Sequence, residues 1–372
     1  MNPCRFISAI AVIFLQSLVL SFPSQADQKI NTTVVAKEKN VLYLFNWNNY
    51  ISADTVERFE QYCNCELSQD YYSDNEEMLA KLVAGATGYD IIVPTGNAVE
   101  TLIRQGALKP LDKKLLPSFK NIDPRYLNSS FDPGNKYSIP YAYTLTLLGF
   151  NQKIIQELNL PTDTWAIIFE PQYLKKIKGR VTVLDSQREL MAIALRYLGY
   201  SVNDTDEKHW KKAQELIARA KPYWAAFSNT SYVKELAVGN LWVVHGYSND
   251  IFQAALDAKN TGRKFNIIYR IPKEGAVLSL DSIVLHKDGS RPDLAYQFIE
   301  FMLDGKNSAE LTNLIGSGNP NTHAIQSIRK DIIENKTIFP NQESFTRLEM
   351  LRDFNRNQRR LLGRIWTEIK LR

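Results

Sequence analysis

The sequence contains few residues of the types on which many enzymes and metal sites depend. It has three cysteines and four histidines in 372 residues. None of the histidines lies in an H-E-x-x-H or G-x-S-x-G context. Beyond the N-terminus, no apolar run is long enough to cross a bilayer. The formal charge is only +5, and acidic and basic residues are interleaved. These absences argue against a zinc protease, a multispanning membrane protein and a nucleic-acid-binding protein.

The first 26 residues have the pattern of a secretion signal. Arg5 provides a positive start, residues 6–22 are mostly apolar, and Ser24-Gln25-Ala26 resembles a signal-peptidase site. We therefore predict a cleaved signal peptide, a disordered segment over residues 27–39, and export to the periplasm.

The exported chain would keep two cysteines, Cys63 and Cys65. A disulfide across one intervening residue would be strained. A metal site would need further ligands nearby, and the sequence offers no obvious ones. We predict two local thiols with no role in function, no metal site and no cofactor.

Strand and helix signals alternate along the chain. Residues 41–46 and 89–93 are β-favouring runs, and residues 54–62 between them have an apolar helical face. Ser73-x-x-Glu76 reads as a capping box that opens another helix. A second alternating unit begins near residue 181. This rhythm predicts the α/β class, with mostly parallel sheets flanked by helices.

Ligands of such folds collect where parallel strands end and at domain interfaces. The residues at and after the predicted strand ends are aromatic, amide, hydroxyl or acidic: Trp47, Asn48, Asn49, Tyr50, Thr95, Glu189, Tyr247, Asp250 and Asp281. Arg188 is the one basic residue in these stretches. Aromatic faces attract cations, and a desolvated ammonium needs carboxylate partners. The pattern indicates a cleft for a flexible organic cation.

Each candidate also has an interpretation that needs no ligand. These interpretations are a capping box at Ser186-x-x-Glu189, a helix N-cap for Asp250, a turn for Asp281, and core packing for Trp47 and Tyr247. The residue types alone leave both interpretations open.

Several motifs together resemble one known family. Residues 45–51 (FNWNNYI) resemble the YNWxxYI opening of periplasmic polyamine-binding proteins, and residues 88–94 (GYDIIVP) resemble their GFDLVVP strand. Further matches follow in order at residues 111–113, 137–141, 271–275 and 295–298. These proteins are the substrate-binding components of ABC transporters for putrescine and spermidine. The resemblance runs from about residue 40 to the C-terminus.

The resemblance implies a two-lobed periplasmic binding protein of type II with a two-crossing hinge that closes around its ligand. The expected N-terminal lobe comprises residues 40–148 plus 272–317. The expected C-terminal lobe comprises residues 149–271 plus 318–372.

The resemblance also implies roles for individual residues. Trp47 and Tyr50 match aromatics that stack on the ligand, and Tyr247 matches a position that is usually Trp. Asn48 and Thr95 match polar contacts, and Glu189, Asp250 and Asp281 match acidic ligand residues. Our hypothesis is that Glu189 with Asp250 holds one ammonium and Asp281 with Asn49 the other.

Four positions depart from the family pattern and predict a roomier, less aromatic pocket. Asn49 replaces an acid, Ser279 and Ser317 replace aromatics, and Ser186 replaces an Asp. We expect a monomeric, non-enzymatic protein that binds putrescine, with spermidine as a second possibility, and delivers it to an ABC permease in the inner membrane. Alternatives are ferric-ion binding by tyrosines on the same fold, a sensor that has lost transport, and a secreted hydrolase.

Overall fold

The computed structural model describes residues 40–371. The strands are β1 (Val41–Trp47), β2 (Glu66–Tyr72), β3 (Ile91–Ile92), β4 (Leu108–Lys109), β5 (Ser138–Asn151), β6 (Val181–Val183), β7 (Ala226–Phe227), β8 (Val243–Tyr247), β9 (Ile267–Arg270), β10 (Ala276–His286) and β11 (Leu348–Glu349). The predicted signal peptide and disordered segment lie outside the described residues.

Helices lie between most of these strands. They are α1 (Ala53–Cys63), α2 (Asn75–Val83), α3 (Gly96–Arg104), α4 (Gln152–Glu157), α5 (Ala166–Phe169), α6 (Pro171–Leu174), α7 (Gln187–Tyr197), α8 (Glu207–Ala220), α9 (Ser231–Val238), α10 (Ser248–Asn260), α11 (Pro292–Leu303), α12 (Gly305–Ile315), α13 (Lys330–Ile333), α14 (Gln342–Phe345) and α15 (Arg356–Leu371). Within residues 40–371, no helix combines the length and apolar character that a bilayer crossing requires.

The strands form one 11-stranded mixed sheet with the main order β2-β1-β3-β10-β5-β8-β6-β7. The strands β2, β1 and β3 are parallel at one end, and β8, β6 and β7 are parallel at the other. The long strands β5 and β10 pair antiparallel between the two parallel groups. The predicted α/β class is confirmed, and the central strand that joins the two groups is β5.

The central strand β5 is buried along its whole length, as a strand covered on both faces should be. Three apolar clusters account for most of the core. One lies around β1 and α11, one around α7, α8 and α15, and one spans the middle of the sheet. The boundaries of the two expected lobes stay a prediction.

Irregular pairing occurs where β10 passes the predicted strand ends. The β5–β10 register shifts between Asp281 and Ser282, which is a β-bulge, and Thr95 forms an isolated bridge with Asp281. Bulges re-aim side chains and are common beside functional sites. This bulge brings Asp281 next to the loop that follows β3.

The prediction of free thiols is wrong. Cys63 and Cys65 form a disulfide with a Cα–Cα distance of 5.2 Å. The intervening Asn64 adopts a left-handed conformation (φ 48°) at the end of α1. Asparagine tolerates this conformation better than most residues, and the resulting turn brings the two sulfur atoms together.

Two of the predicted helix caps are also wrong in detail. Asp74, not Ser73, is the N-cap of α2, and its side chain accepts a hydrogen bond from the backbone N–H of Glu77. Asp250 lies in the first turn of α10, whose N-cap is Tyr247. The N-cap interpretation of Asp250 is therefore excluded, and its carboxylate is available for other contacts.

Candidate functional site

Asp281 is the centre of the first group of predicted site residues. Its Oδ2 accepts a hydrogen bond from the Tyr50 hydroxyl (2.5 Å), and its Oδ1 accepts one from the Thr95 hydroxyl (2.6 Å). The residue is only 5% exposed. Burial raises the pKa of its carboxyl to about 6, against the lowering effect of the two hydroxyls. A carboxylate held in this way can present negative charge to a cation.

Tethered aromatic rings form a wall beside Asp281. The Trp47 indole N–H donates to the carbonyl oxygen of Val93 (2.8 Å), and the Tyr72 hydroxyl donates to the same oxygen (2.6 Å). The rings of Trp47 and Tyr72 are 4.7 Å apart between centroids, and those of Trp47 and Tyr50 are 6.4 Å apart. Hydrogen bonds at the polar tips fix these rings, whose faces can cover methylene groups or a cation.

Asp250 belongs to a second group at the end of β8. The Tyr232 hydroxyl donates to its Oδ2 (2.6 Å), and the Asn249 amide donates to its Oδ1 (3.2 Å). The same Tyr232 oxygen accepts the backbone N–H of Tyr247 (3.1 Å). Burial raises the pKa of the Asp250 carboxyl above its ordinary value. Tyr232 therefore positions Asp250 and the Tyr247 backbone together.

Glu189 in α7 is buried, with 6% exposure. The Thr146 hydroxyl of β5 donates to its Oε2 (2.9 Å). Burial raises the pKa of Glu189 to about 7, while Thr146 and Arg188 oppose that shift. The Arg188 guanidinium itself donates to the Val202 carbonyl and the Asn203 side chain. Glu189 thus lacks a salt bridge with its basic neighbour.

Tyr247 links the two groups of acids electrostatically. The pKa of its hydroxyl is raised well above the ordinary value, first by burial and then by the charges of Glu189, Asp250, Glu76 and Asp281. Carboxylates on elements from both ends of the sheet therefore affect the same group, the Tyr247 hydroxyl. The β5–β8 register, which pairs Thr146 with Tyr247, places the partner of Glu189 at that location.

The model of the family described as bacterial extracellular solute-binding protein matches residues 54–341. The chain belongs to this family. The putrescine/cadaverine-binding protein of Pseudomonas aeruginosa PAO1 is 55% identical to it over 331 residues, covering 89% of this chain and 94% of that protein. The putrescine-binding periplasmic protein PotF of Escherichia coli K12 is 32% identical, covering 92% and 94%.

Solved structures agree with the sequence comparison. The spermidine/putrescine ABC transporter substrate-binding protein PotD of Streptococcus pneumoniae matches with a TM-score of 0.79 and 26% identity, covering 90% of this chain and 99% of that one. The TpPotD lipoprotein of Treponema pallidum matches with a TM-score of 0.78 and 28% identity, covering 90% and 100%. The resemblance stated from the sequence motifs is confirmed, and the chain has the fold of a solute-binding protein.

Within the described residues, two predicted site residues of this solute-binding protein make no hydrogen bond with the acids. Asn48 and Asn49 are exposed on the turn that follows β1, and Asn49 has a left-handed backbone (φ 57°). The hydroxyls of Tyr50 and Thr95, not the Asn49 amide, contact Asp281. The hypothesis that Asp281 and Asn49 together hold one ammonium of the ligand stays a prediction.

The interpretation of Ser186 and Glu189 as a capping box is half right. The Ser186 hydroxyl accepts the backbone N–H of Glu189 (3.3 Å), so Ser186 caps α7. The Glu189 carboxylate instead contacts Thr146, and so it remains a candidate ligand residue. Ser317 is fully buried, whereas Ser279 is partly exposed.

Sequence reasoning missed the residues that hold the acids in place. Thr146 and Tyr141 lie in a largely apolar run, and Tyr72 and Tyr232 lie among polar residues. In both settings these residues are indistinguishable from ordinary strand or helix residues. Tyr141, for example, donates to the carbonyl of Tyr50 (3.1 Å). Their roles depend on cross-strand register and helix packing, which one sequence does not display.

Proposed function

We propose that this protein binds a linear polyamine, with putrescine favoured and cadaverine and spermidine as close candidates. The observation that carries the proposal is the set of buried carboxylates without cationic partners. Among residues 40–371, none of Asp281, Glu189 and Asp250 makes a salt bridge with Lys or Arg. A buried charge needs compensation. A diammonium ligand supplies it, because amine pKa values near 10 keep both ends charged.

The aromatic residues support a ligand with methylene segments between its charges. Trp47, Tyr50 and Tyr247 would cover such segments and exclude water from the ammonium–carboxylate contacts. Each cation–π contact contributes about 0.5–2 kcal/mol. The names of the relatives support the same ligand class, since they bind putrescine, cadaverine or spermidine. This set of groups also disfavours anionic ligands such as carboxylates and phosphates.

Delivery to an ABC permease in the inner membrane is the second part of the proposal. Ligand contacts from both ends of the sheet would favour a closed form of the protein, by a shift of population between open and closed states. We further propose export by a cleaved signal peptide, a monomeric state and no enzymatic activity. N-terminal sequencing of the periplasmic protein tests the cleavage, and light scattering tests the monomeric state.

A thermal-unfolding panel tests the ligand class. Protein is unfolded, stripped of copurified ligand and refolded, and then heated with putrescine, cadaverine, agmatine, spermidine or spermine. Lysine, arginine and maltose serve as controls. We expect at least one polyamine to raise the melting temperature strongly, because ligands that bind only the folded state stabilise it. Stabilisation by an amino acid or sugar but by no polyamine would refute the proposal.

Ferric-ion binding is the competing function on this fold. It requires tyrosinate ligands, yet the hydroxyls of Tyr50 and Tyr232 donate to carboxylates and their pKa values are raised. Addition of ferric ion should therefore produce no visible tyrosinate–iron absorbance band.

A further inference from the structure

Glu76 is free of the structural role that its sequence motif suggests. At the start of α2, Asp74 caps the helix, and the Ser73 N–H and hydroxyl donate to Glu77 at 2.9 and 2.8 Å. Glu77 therefore makes the reciprocal contact that the pattern assigned to Glu76. The Glu76 side chain is exposed, and apart from a hydrogen bond with its own backbone N–H it has no hydrogen-bond or salt-bridge partner in the described part of the chain.

A chain of contacts places the first turn of α2 beside the acids. The Asn75 side chain accepts the backbone N–H of Thr95 (3.3 Å). The hydroxyl of Thr95 donates in turn to Asp281. Glu76 is therefore adjacent to a residue that holds the loop in contact with Asp281. This location is at the carboxyl end of β2, on the edge of the sheet where the other candidate residues lie.

The charge of Glu76 acts on residues from the opposite end of the sheet. It raises the pKa of Tyr247 on β8 and of Glu189 on α7. Although the side chain reaches solvent, its surroundings also raise the pKa of Glu76 itself, first by desolvation and then by Asp74. Like charges in one cleft repel each other, and a cation between them would remove that repulsion.

We propose that Glu76 is a further carboxylate of the ligand site, which binds an ammonium group of the polyamine from the wall opposite Glu189. The inference rests on the proposed function and makes it more specific. With Glu76, the site has four carboxylates for a ligand that carries two or more charges. A diamine that contacts both walls would pull the walls together. Without a diamine, repulsion between the carboxylates of Glu76 and Glu189 would keep the walls apart.

The test compares Glu76→Gln with Glu77→Gln by isothermal titration calorimetry with putrescine, cadaverine and spermidine. Both variants lose one negative charge on the same helix turn. Comparing them therefore separates the loss of a direct contact with the ligand from a general change in electrostatic potential. The Glu77→Gln side chain can still accept from Ser73 but loses the ion pair with Lys81, so thermal unfolding must first show that both variants are folded at the titration temperature.

We expect Glu76→Gln to weaken binding of the preferred polyamine about three- to tenfold, as suits a partly solvated ion pair, and Glu77→Gln to leave it within twofold. Equal binding by Glu76→Gln and parent, or equal losses in both variants, would overturn the inference while leaving the proposed function intact. If the parent itself binds no polyamine, the proposed function fails.

Discussion

At the residue scale, individual carboxyl groups carry the proposed ligand chemistry. Asp281 and Glu189 are each almost fully buried, and each is contacted by hydroxyl donors instead of by Lys or Arg. Hydroxyls orient a carboxylate without neutralising it. The negative charge is thus retained for a ligand, at the cost of a raised pKa in the free protein.

The raised pKa values predict that polyamine binding depends on pH. In the free protein, the pKa is about 6 for Asp281 and about 7 for Glu189, so both bind protons between pH 5 and 8. A cationic ligand favours the ionised forms and therefore releases protons. We expect affinity to rise by about tenfold or more from pH 5.5 to 7.5.

Calorimetry in two buffers with different ionisation enthalpies measures this proton release. The Glu189→Gln variant should show a smaller pH dependence of polyamine affinity above pH 6. Equal affinity at the two pH values, with no proton release, would contradict the assignment of these groups to the site.

The raised pKa of Asp281 also predicts that its ionised carboxylate contributes to ligand binding but not to the stability of the free protein at neutral pH. Because its pKa is raised in the folded state, its contribution to the free energy of unfolding is full below about pH 4 and lost as the pH rises through 6. The ligand-free Asp281→Asn variant should therefore unfold at or above the melting temperature of the parent protein at pH 7.5. Its polyamine affinity should fall by about a hundredfold, or ~3 kcal/mol.

Calorimetric titration and thermal unfolding check both halves of this prediction. The control is Asp288→Asn, which removes an exposed carboxylate from the turn that follows the same strand. Parent-like binding by Asp281→Asn would show that Asp281 does not contact the ligand.

At the scale of elements, β8 and α9 together position Asp250. A Cβ atom on Gly246 would lie 2.5 Å from the ring of the fully buried Tyr232, whose hydroxyl contacts Asp250. Gly246→Ala should therefore displace Tyr232, destabilise the fold by about 1–3 kcal/mol and weaken polyamine binding.

Denaturant unfolding and calorimetry measure these two effects. Gly363→Ala in α15 is the control, because its Cβ would meet nothing closer than 3.9 Å. It should stabilise the protein by about 0.5–1 kcal/mol and leave binding unchanged. A stable Gly246→Ala variant with parent-like binding would show that Tyr232 does not position Asp250.

The Cys63–Cys65 disulfide belongs to the end of α1, away from the acids. It closes a loop of three residues, for which chain entropy predicts a contribution of roughly 1.5 kcal/mol. Replacing both cysteines by serine should lower stability by about that amount and leave polyamine affinity unchanged. Denaturant unfolding measures the change in stability, and a calorimetric titration measures the polyamine affinity. A large loss of affinity would show that α1 influences the site.

The local sequence predicted the helices and strands that have a clear hydrophobic pattern, and the residues at their ends. Residues 41–46 predicted β1 to within one residue, and Ser186 was anticipated as a cap of α7. The partners of the acids were not predictable, because Thr146 and Tyr232 approach them through sheet register and helix packing. Glu76 and Glu77 show the same limit, since their motif fits either residue until the helix start is known.

At the scale of the whole molecule, strands β5 and β10 join the two parallel groups of strands. The segment that contains β11 adds a second connection. Arg352 contacts Glu100 of α3 (3.3 Å), while the neighbouring Glu349 contacts Arg196 of α7 (2.6 Å). These contacts link helices that lie on either side of the central strands. They suit a protein whose two expected lobes move about the strands between them.

The most direct measurement is a calorimetric titration of ligand-stripped, refolded protein at pH 7.5 with putrescine, cadaverine and the monoamine 1-aminobutane. The proposed site, with carboxylates from both ends of the sheet, predicts one diamine bound per protein, with proton release, and much weaker binding of the monoamine. No heat with any polyamine, or equal binding of 1-aminobutane and the diamines, would contradict the assignment of these carboxylates to a diammonium site.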